Sequence, residues 1–425
     1  MIPELRRCFN QEFTDEHYAK LLARLHARCG ARVEFRVAET PIFVPASLLR
    51  TIAIEGAEMT QSLLSDAAYL AAARKAIPSG YEVANQTAHP HFLTADFALT
   101  KDKSGQLAPK LVEIQAFPSV FGYQAELCSA YREVFDLPGN LGTFLSGLSE
   151  ESYWDLLRRT VLGRHSPENV VLTEVDPLHQ KTLPDFQVTA RQLGIAVVDI
   201  ASLQAIGNKL HYRDSSGKLA PVHRIYNRAI ADELITRKVR LPFDLTHSWD
   251  VEWAGHPNWY FLISKFSIPW LSRPPDGRVV VPPAAFLDEF LAGPGQAALS
   301  EAGVPMPSNP GPDTSYGELL LKPLFSFAGK GIQFEPTQAQ LEAIPMGMRA
   351  DYLVQQRMRF EPTIDTPFGL TQAEIRVLYM WPDDGELTPA LSLVRLGRGK
   401  MMGVDHNRDQ AWVGGSAAFF PQSEK

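Results

Sequence analysis

Cysteine, long apolar runs and blocks of one charge are all scarce in this chain, and each scarcity excludes something. The 425 residues hold three cysteines, Cys8, Cys29 and Cys128. Thiols so placed make neither a disulfide framework nor a metal-ligand spacing, so they read as free thiols in a reducing cytoplasm. No apolar stretch approaches the ~18 residues of a membrane-spanning helix. Met1-Ile-Pro-Glu-Leu-Arg-Arg7 also lacks the apolar segment of a secretory signal. A cytoplasmic protein without a membrane partner is expected. Net charge is −7 and no long basic run occurs, which argues against nucleic acid as a partner. Repeats and low-complexity tracts are missing. So is the Gly-x-Ser-x-Gly elbow of a serine hydrolase. His89 and His91 flank a proline with no partner spacing, and they read as structural rather than zinc-binding.

What is present is an ordinary folding composition. With 45% hydrophobic and 21% charged residues the chain can bury large cores, and its length allows two or three domains. One stretch organises the rest: Lys110-Leu-Val-Glu-Ile-Gln-Ala-Phe-Pro-Ser119. It reads as a strand halted by Pro118. Strict alternation puts Leu111, Glu113 and Gln115 on one face and Val112 and Ile114 on the other. Upstream, His91-Phe-Leu-Thr-Ala-Asp-Phe-Ala-Leu99 reads as a second strand. The polar link Thr100-Lys-Asp-Lys-Ser-Gly-Gln106 predicts a hairpin that sets Asp96 beside Glu113 and Gln115. Two carboxylates and an amide oxygen on neighbouring strands suit Mg²⁺ with phosphate ligands. On these residues alone, a solvated hairpin face is the simpler account.

A second stretch, Tyr316-Gly-Glu-Leu-Leu-Leu-Lys-Pro-Leu-Phe-Ser-Phe-Ala-Gly-Lys-Gly-Ile-Gln-Phe334, reads as strand, loop, strand. Lys322 ends the first strand. Gly329 and Gly331 let backbone N–H groups approach a phosphate. This resembles the nucleotide-covering loop of ATP-grasp ligases. Together the two stretches resemble the circularly permuted ATP-grasp proteins related to the synthetase domain of glutathionylspermidine synthase. That family carries Asp…Pro-Lys-Leu-Leu-Glu-x-Asn-x-Asp-x-Pro ahead of its lysine strands. This chain carries Asp96…Pro109-Lys-Leu-Val-Glu113-Ile-Gln115-Ala-Phe-Pro118. Gln115 stands for the asparagine and keeps an amide oxygen. Phe117 stands for an aspartate and removes a polar group.

The remaining elements predict an α/β (α+β) chain. A helix is expected at 15–30, a strand at 32–37, a long helical region at 45–76 and a helix at 119–135. A boundary falls near Pro138-Gly-Asn-Leu-Gly142. Beyond a helix at 150–162, a strand at 169–174, a helix at 181–193 and a strand at 195–199 make a β-α-β unit. A parallel, Rossmann-like sheet follows from it. No Gly-x-Gly-x-x-Gly follows its first strand, so the nucleotide is not placed there. A hairpin at 209–226 leads to Arg228, whose guanidinium could hold a substrate carboxylate or make a surface ion pair. Glu374 and Arg376 share a strand face. A polar stretch at 405–410 with Gly414 and Gly415 reads as a substrate, phosphate or surface loop.

The resemblance implies a permuted ATP-grasp fold with a Rossmann-like, pre-ATP-grasp substrate domain. Residues 1–148 would carry the metal hairpin, 149–245 the substrate-side domain and 246–425 the nucleotide-binding part. It implies an ATP-dependent carboxylate–amine ligase acting through an acylphosphate on small-molecule acid and amine substrates. Mg²⁺ would sit on Asp96, Glu113 and Gln115. Lys265, in Phe261-Leu-Ile-Ser-Lys-Phe266, and Lys322 would contact ATP phosphates. Gly329, Lys330 and Gly331 would close over them. Gln355 or Gln356, on a short strand, would lie at the adenine. Arg228 or Arg376 would bind a carboxylate or stabilise the acylphosphate. The alternatives are a non-catalytic nucleotide-binding protein of the same fold and an ATP-dependent phosphotransferase.

Overall fold

The computed structural model describes residues 1–273, 280–325, 331–400, 402 and 409–422. Its organising hairpin is fixed by local chemistry. The Asp102 carboxylate accepts the Ser104 N–H at 2.8 Å, the Ser104 hydroxyl at 2.6 Å and the Gln106 N–H at 2.9 Å. Gly105 supplies φ 81°. This turn folds strand Phe92–Lys101 against strand Leu107–Gln115.

That hairpin is one edge of the largest sheet. Strand Thr371–Met380 pairs antiparallel with Phe92–Lys101, strand Thr388–Gly397 follows, then Gly414–Pro421. One face of the sheet packs on helix Ala46–Ser65 through Leu93, Ala95, Phe97, Ile375 and Val377. The opposite face is apolar at Phe92, Leu378 and Met380, where it meets helix Phe121–Val134. The same face turns charged two to four residues further along, at Asp96, Glu374 and Arg376. A second sheet is wholly parallel, in the order Glu252–Ala254, Arg224–Asn227, Val170–Glu174, Ala196–Asp199. Helix Leu183–Leu193 makes the crossover and stops at Gly194, φ 74°. A third sheet, Ala284–Phe286, Tyr352–Gln356, Leu319–Pro323 and Gln333–Phe334, is antiparallel. No described helix is long and apolar enough to cross a membrane.

Several sequence expectations need correction. Leu111 does not share a face with Glu113. Asp96 pairs with Glu113 and Phe97 with Leu111, so Val112 is an extra residue, a bulge that shifts the alternation. Leu111 and Ile114 go to the core, while Val112 joins Glu113 on the open face. The strand expected at 32–37 is reduced to a single bridge between Val37 and Gly415. The Val37 carbonyl instead accepts the Tyr18 hydroxyl at 2.8 Å and Arg36 Nη1 at 2.6 Å. The long helix at 45–76 is two helices, because Asp66 leaves helical backbone and caps the second, Ala67–Arg74. The 209–226 hairpin divides. Lys209–Arg213 pairs with Leu219–Val222, and the chain then enters the parallel sheet at Arg224. Gly414 and Gly415 begin a buried strand rather than a loop. Residues 405–408 lie outside the described residues, as do Gly329 and Lys330.

Candidate functional site

The charged face, the third sheet and the carboxyl end of the parallel strands enclose a cleft of about 420 Å³. Ligands of open parallel sheets commonly bind at such carboxyl ends. Register decides what the charged face presents. Arg376 pairs with Asp96, and Asp96 with Glu113, so the three form one cross-strand row. Glu374 pairs with Arg395 in a second row. Side chains directly opposite share a face, so Asp96 has Arg376 beside it and Glu374 has Arg395, while Glu113 has only the Asp96 carboxylate opposite it.

Asp96 is fully buried and holds two guanidiniums. Arg376 Nε meets its Oδ1 at 2.6 Å and Arg376 Nη2 its Oδ2 at 2.7 Å, a bidentate pair. Arg395 Nη1 reaches the same Oδ2 at 2.9 Å and also meets Glu374. Desolvation pushes the Asp96 carboxyl up, but the two arginines outweigh it and hold the group below the usual range. Glu113 is looser, 3.4 Å from Lys265 Nζ and 3.6 Å from Arg376 Nη2. Burial works against its charge, and Lys265 chiefly reverses the effect. Glu374 titrates above the ordinary range, driven by burial and by the Asp96 carboxylate against the pull of Arg395.

Lys322 comes from the third sheet. Its Nζ donates to the Val112 carbonyl at 3.3 Å, so the bulged residue provides its anchor. Desolvation pushes this ammonium down to about 8. Lys265 lies between helices Trp259–Leu262 and Ser267–Leu271 and reaches the cleft from the opposite side to Arg395 along the Asp96 row. Gln355 pairs with Leu320 and therefore shares the Lys322 face. It is fully buried, and neither amide atom has a partner among the described residues. Gln356 is on the other face, its N–H donating to the Pro283 carbonyl at 2.8 Å. Gly331 is exposed, with φ 78°. Arg228 lines the cleft, yet its guanidinium is buried against Asp185 at 2.9 Å, and Asp185 also accepts the Tyr123 N–H that opens helix Phe121–Val134. Part of its role is therefore to join the parallel sheet to that helix.

Arg395 and Glu374 had no role assigned from sequence. Strand alternation over 390–396 would have faced Arg395 the right way, but nothing in the sequence set that strand beside Arg376. Among the described residues, six cations (Arg228, Lys265, Lys322, Arg376, Arg395 and Lys400) and three carboxylates line the cleft. This excess suits phosphates, and Gln355, whose amide is unpartnered among the described residues, is buried on the Lys322 face of its sheet. The Asp96, Glu113 and Gln115 set does not fit Mg²⁺ as a unit. They share a face, but both Asp96 oxygens already accept from guanidiniums. Among the described residues, no three His, Cys, Asp or Glu side chains converge as a metal cage.

No protein-family model matches the sequence, and no curated protein matches it. Among solved structures, the chain is similar to a glutathione synthetase-like effector from Globodera pallida in its apo form. The TM-score is 0.56 at 12% identity, over 95% of this chain and 98% of that one. At that identity the likeness shows the fold alone: an α+β architecture similar to a glutathione synthetase-like structure.

Proposed function

We propose that the chain is an ATP-dependent carboxylate–amine ligase of permuted ATP-grasp type that works in the cytoplasm. Residues 149–245, which contain most of the parallel sheet, act as its substrate-side domain. The observation that carries this reading is the cationic cleft between the Lys322 strand and the Asp96 hairpin. A carboxylate resists attack by an amine because oxide would have to leave. Attack of a carboxylate oxygen on the γ-phosphorus of ATP expels ADP and leaves an acylphosphate. The amine then adds to the acyl carbon, phosphate departs with the C–O bonding pair, and the amine loses a proton.

Lys265 and Lys322 contact the phosphate chain, and Arg376 faces the transferred group. Gln355 meets the base. Gly331 borders the covering loop, whose Gly329 and Lys330 belong to the same proposal. Mg²⁺, which the sequence resemblance implies, would meet an Asp96 carboxylate already engaged by two guanidiniums. The test is ADP release from purified protein across a panel of acids and amines. A ligase sustains ADP release over many turnovers only when acid and amine are both present. Multiple-turnover release with acid alone would mark a phosphotransferase. The closed state of Asp96 favours a second reading, a nucleotide-binding protein without turnover, for which ATP binds and no ADP appears.

A further inference from the structure

Each carboxylate lining the cleft is engaged by a cation of the same cleft: Asp96 by Arg376 and Arg395, Glu374 by Arg395, Glu113 by Lys265 and Arg376. For a divalent ion to take both Asp96 oxygens, a bidentate contact at 2.6 and 2.7 Å and a third at 2.9 Å must all break. Two desolvated guanidiniums would then face the incoming cation. That exchange is unfavourable twice over, through lost charge-assisted hydrogen bonds and through like-charge repulsion. Among the described residues, six cations against three carboxylates give the cavity wall a formal charge of +3, or +2 once Arg228 is set against its buried partner Asp185, on a chain of net −7. The need for positive charge that a metal would meet at a phosphate chain is already met by side chains.

We propose that the cleft is a polyanion site that binds a phosphate chain without a divalent cation, with Arg376 and Arg395 in the metal's place. Asp96 and Glu374 are positioning residues. Asp96 locks the fork of Arg376, and Glu374 steadies Arg395 from the neighbouring strand position. The proposal rests on the preceding functional reading only in taking the natural ligand to be a nucleotide. The polyphosphate part of the ligand follows from the charge and geometry of the wall.

Calorimetric titration with ATP and with tripolyphosphate, each in EDTA and in excess Mg²⁺, tests it. In EDTA both ligands should bind within about threefold of their affinity in Mg²⁺, or more tightly, because the guanidinium contacts need no bridging ion. Asp96→Asn should weaken ATP about tenfold or more in both buffers, since the arginines lose their seat. If Asp96→Asn does not fold by circular dichroism, the wild-type comparison decides alone. Binding that appears only with Mg²⁺ overturns the proposal and leaves the ATP reading standing. So does an Asp96→Asn protein whose EDTA affinity is unchanged while its Mg²⁺ stimulation is gone. Tripolyphosphate bound in EDTA with no ATP bound keeps the polyanion site and removes the nucleotide. No binding of either ligand at millimolar concentration removes both.

Discussion

Lys322 is 4% exposed, and among the described residues its close polar partner is the Val112 carbonyl. Such a group is costly to keep charged and gains from an anionic ligand. Lys322→Ala should therefore weaken ATP binding by about 1.5–3 kcal/mol through loss of a charge-assisted contact. The same residue gives a signed pH effect. Its folded pKa of about 8 lies below the unfolded value of 10.5, so the unfolded chain holds the extra proton between those limits. The contribution of Lys322 to stability then rises with pH across that window and is least favourable below about 8. Lys322→Met should accordingly raise the stability of the ligand-free protein at pH 7 by up to ~3 kcal/mol, the value of the shift. The gain should shrink toward zero near pH 10.5. Urea denaturation of both proteins at the two pH values measures it. An equal gain at both would mean that a factor other than desolvation of the ammonium is responsible.

At the scale of the element, two close approaches set the sheet. The Val112 bulge rotates the strand so that Glu113 and Gln115 open on the cleft while Leu111 and Ile114 stay inside. The sequence predicts the hairpin well, because Asp102, Ser104 and Gly105 specify the turn. It does not predict the bulge: 110–115 alternates plausibly in either phase, and only the partner strand reveals the extra residue. On the opposite face, Gly56 lets helix Ala46–Ser65 lie against Tyr379, whose hydroxyl donates to the Ala53 carbonyl at 3.0 Å. A Cβ on residue 56 would meet that hydroxyl inside contact distance. Gly56→Ala gains helix propensity but forces ring or helix to shift, so a net loss of ~1–3 kcal/mol is expected in thermal or urea melts. Adding Tyr379→Phe to Gly56→Ala should recover part of it, since the hydroxyl is the nearest obstacle, ahead of the ring carbon that bears it and Ala95.

For the whole molecule, the cleft exists because three sheets meet, and its excess positive charge is a burden until an anion arrives. ATP or tripolyphosphate should raise the thermal midpoint, since a ligand at about 100 times its Kd adds ~2.7 kcal/mol to a fold that binds it only when native. Sodium chloride at matched ionic strength should give a smaller shift, and Lys322→Ala should reduce the ligand effect. Equal shifts from chloride and polyphosphate would point to general screening instead of a site.

The sequence by itself determined many of the local elements, because turn chemistry, caps and alternation act over a few residues. The Asp102 turn, the Gly30 and Gly194 helix stops and the β-α-β pattern at 170–199 all follow from it. It also nominated Asp96, Glu113, Lys265, Lys322 and Arg376, all of which line one cleft. What it could not decide was which charges would neutralise which. Asp96 and Arg376 are 280 positions apart, and Arg395 arrives on a further strand. A carboxylate in a motif looks the same whether an ion or a guanidinium will fill its lone pairs. Only the register of three strands, set by long-range pairing and by one bulge, placed two arginines where the sequence had suggested a metal.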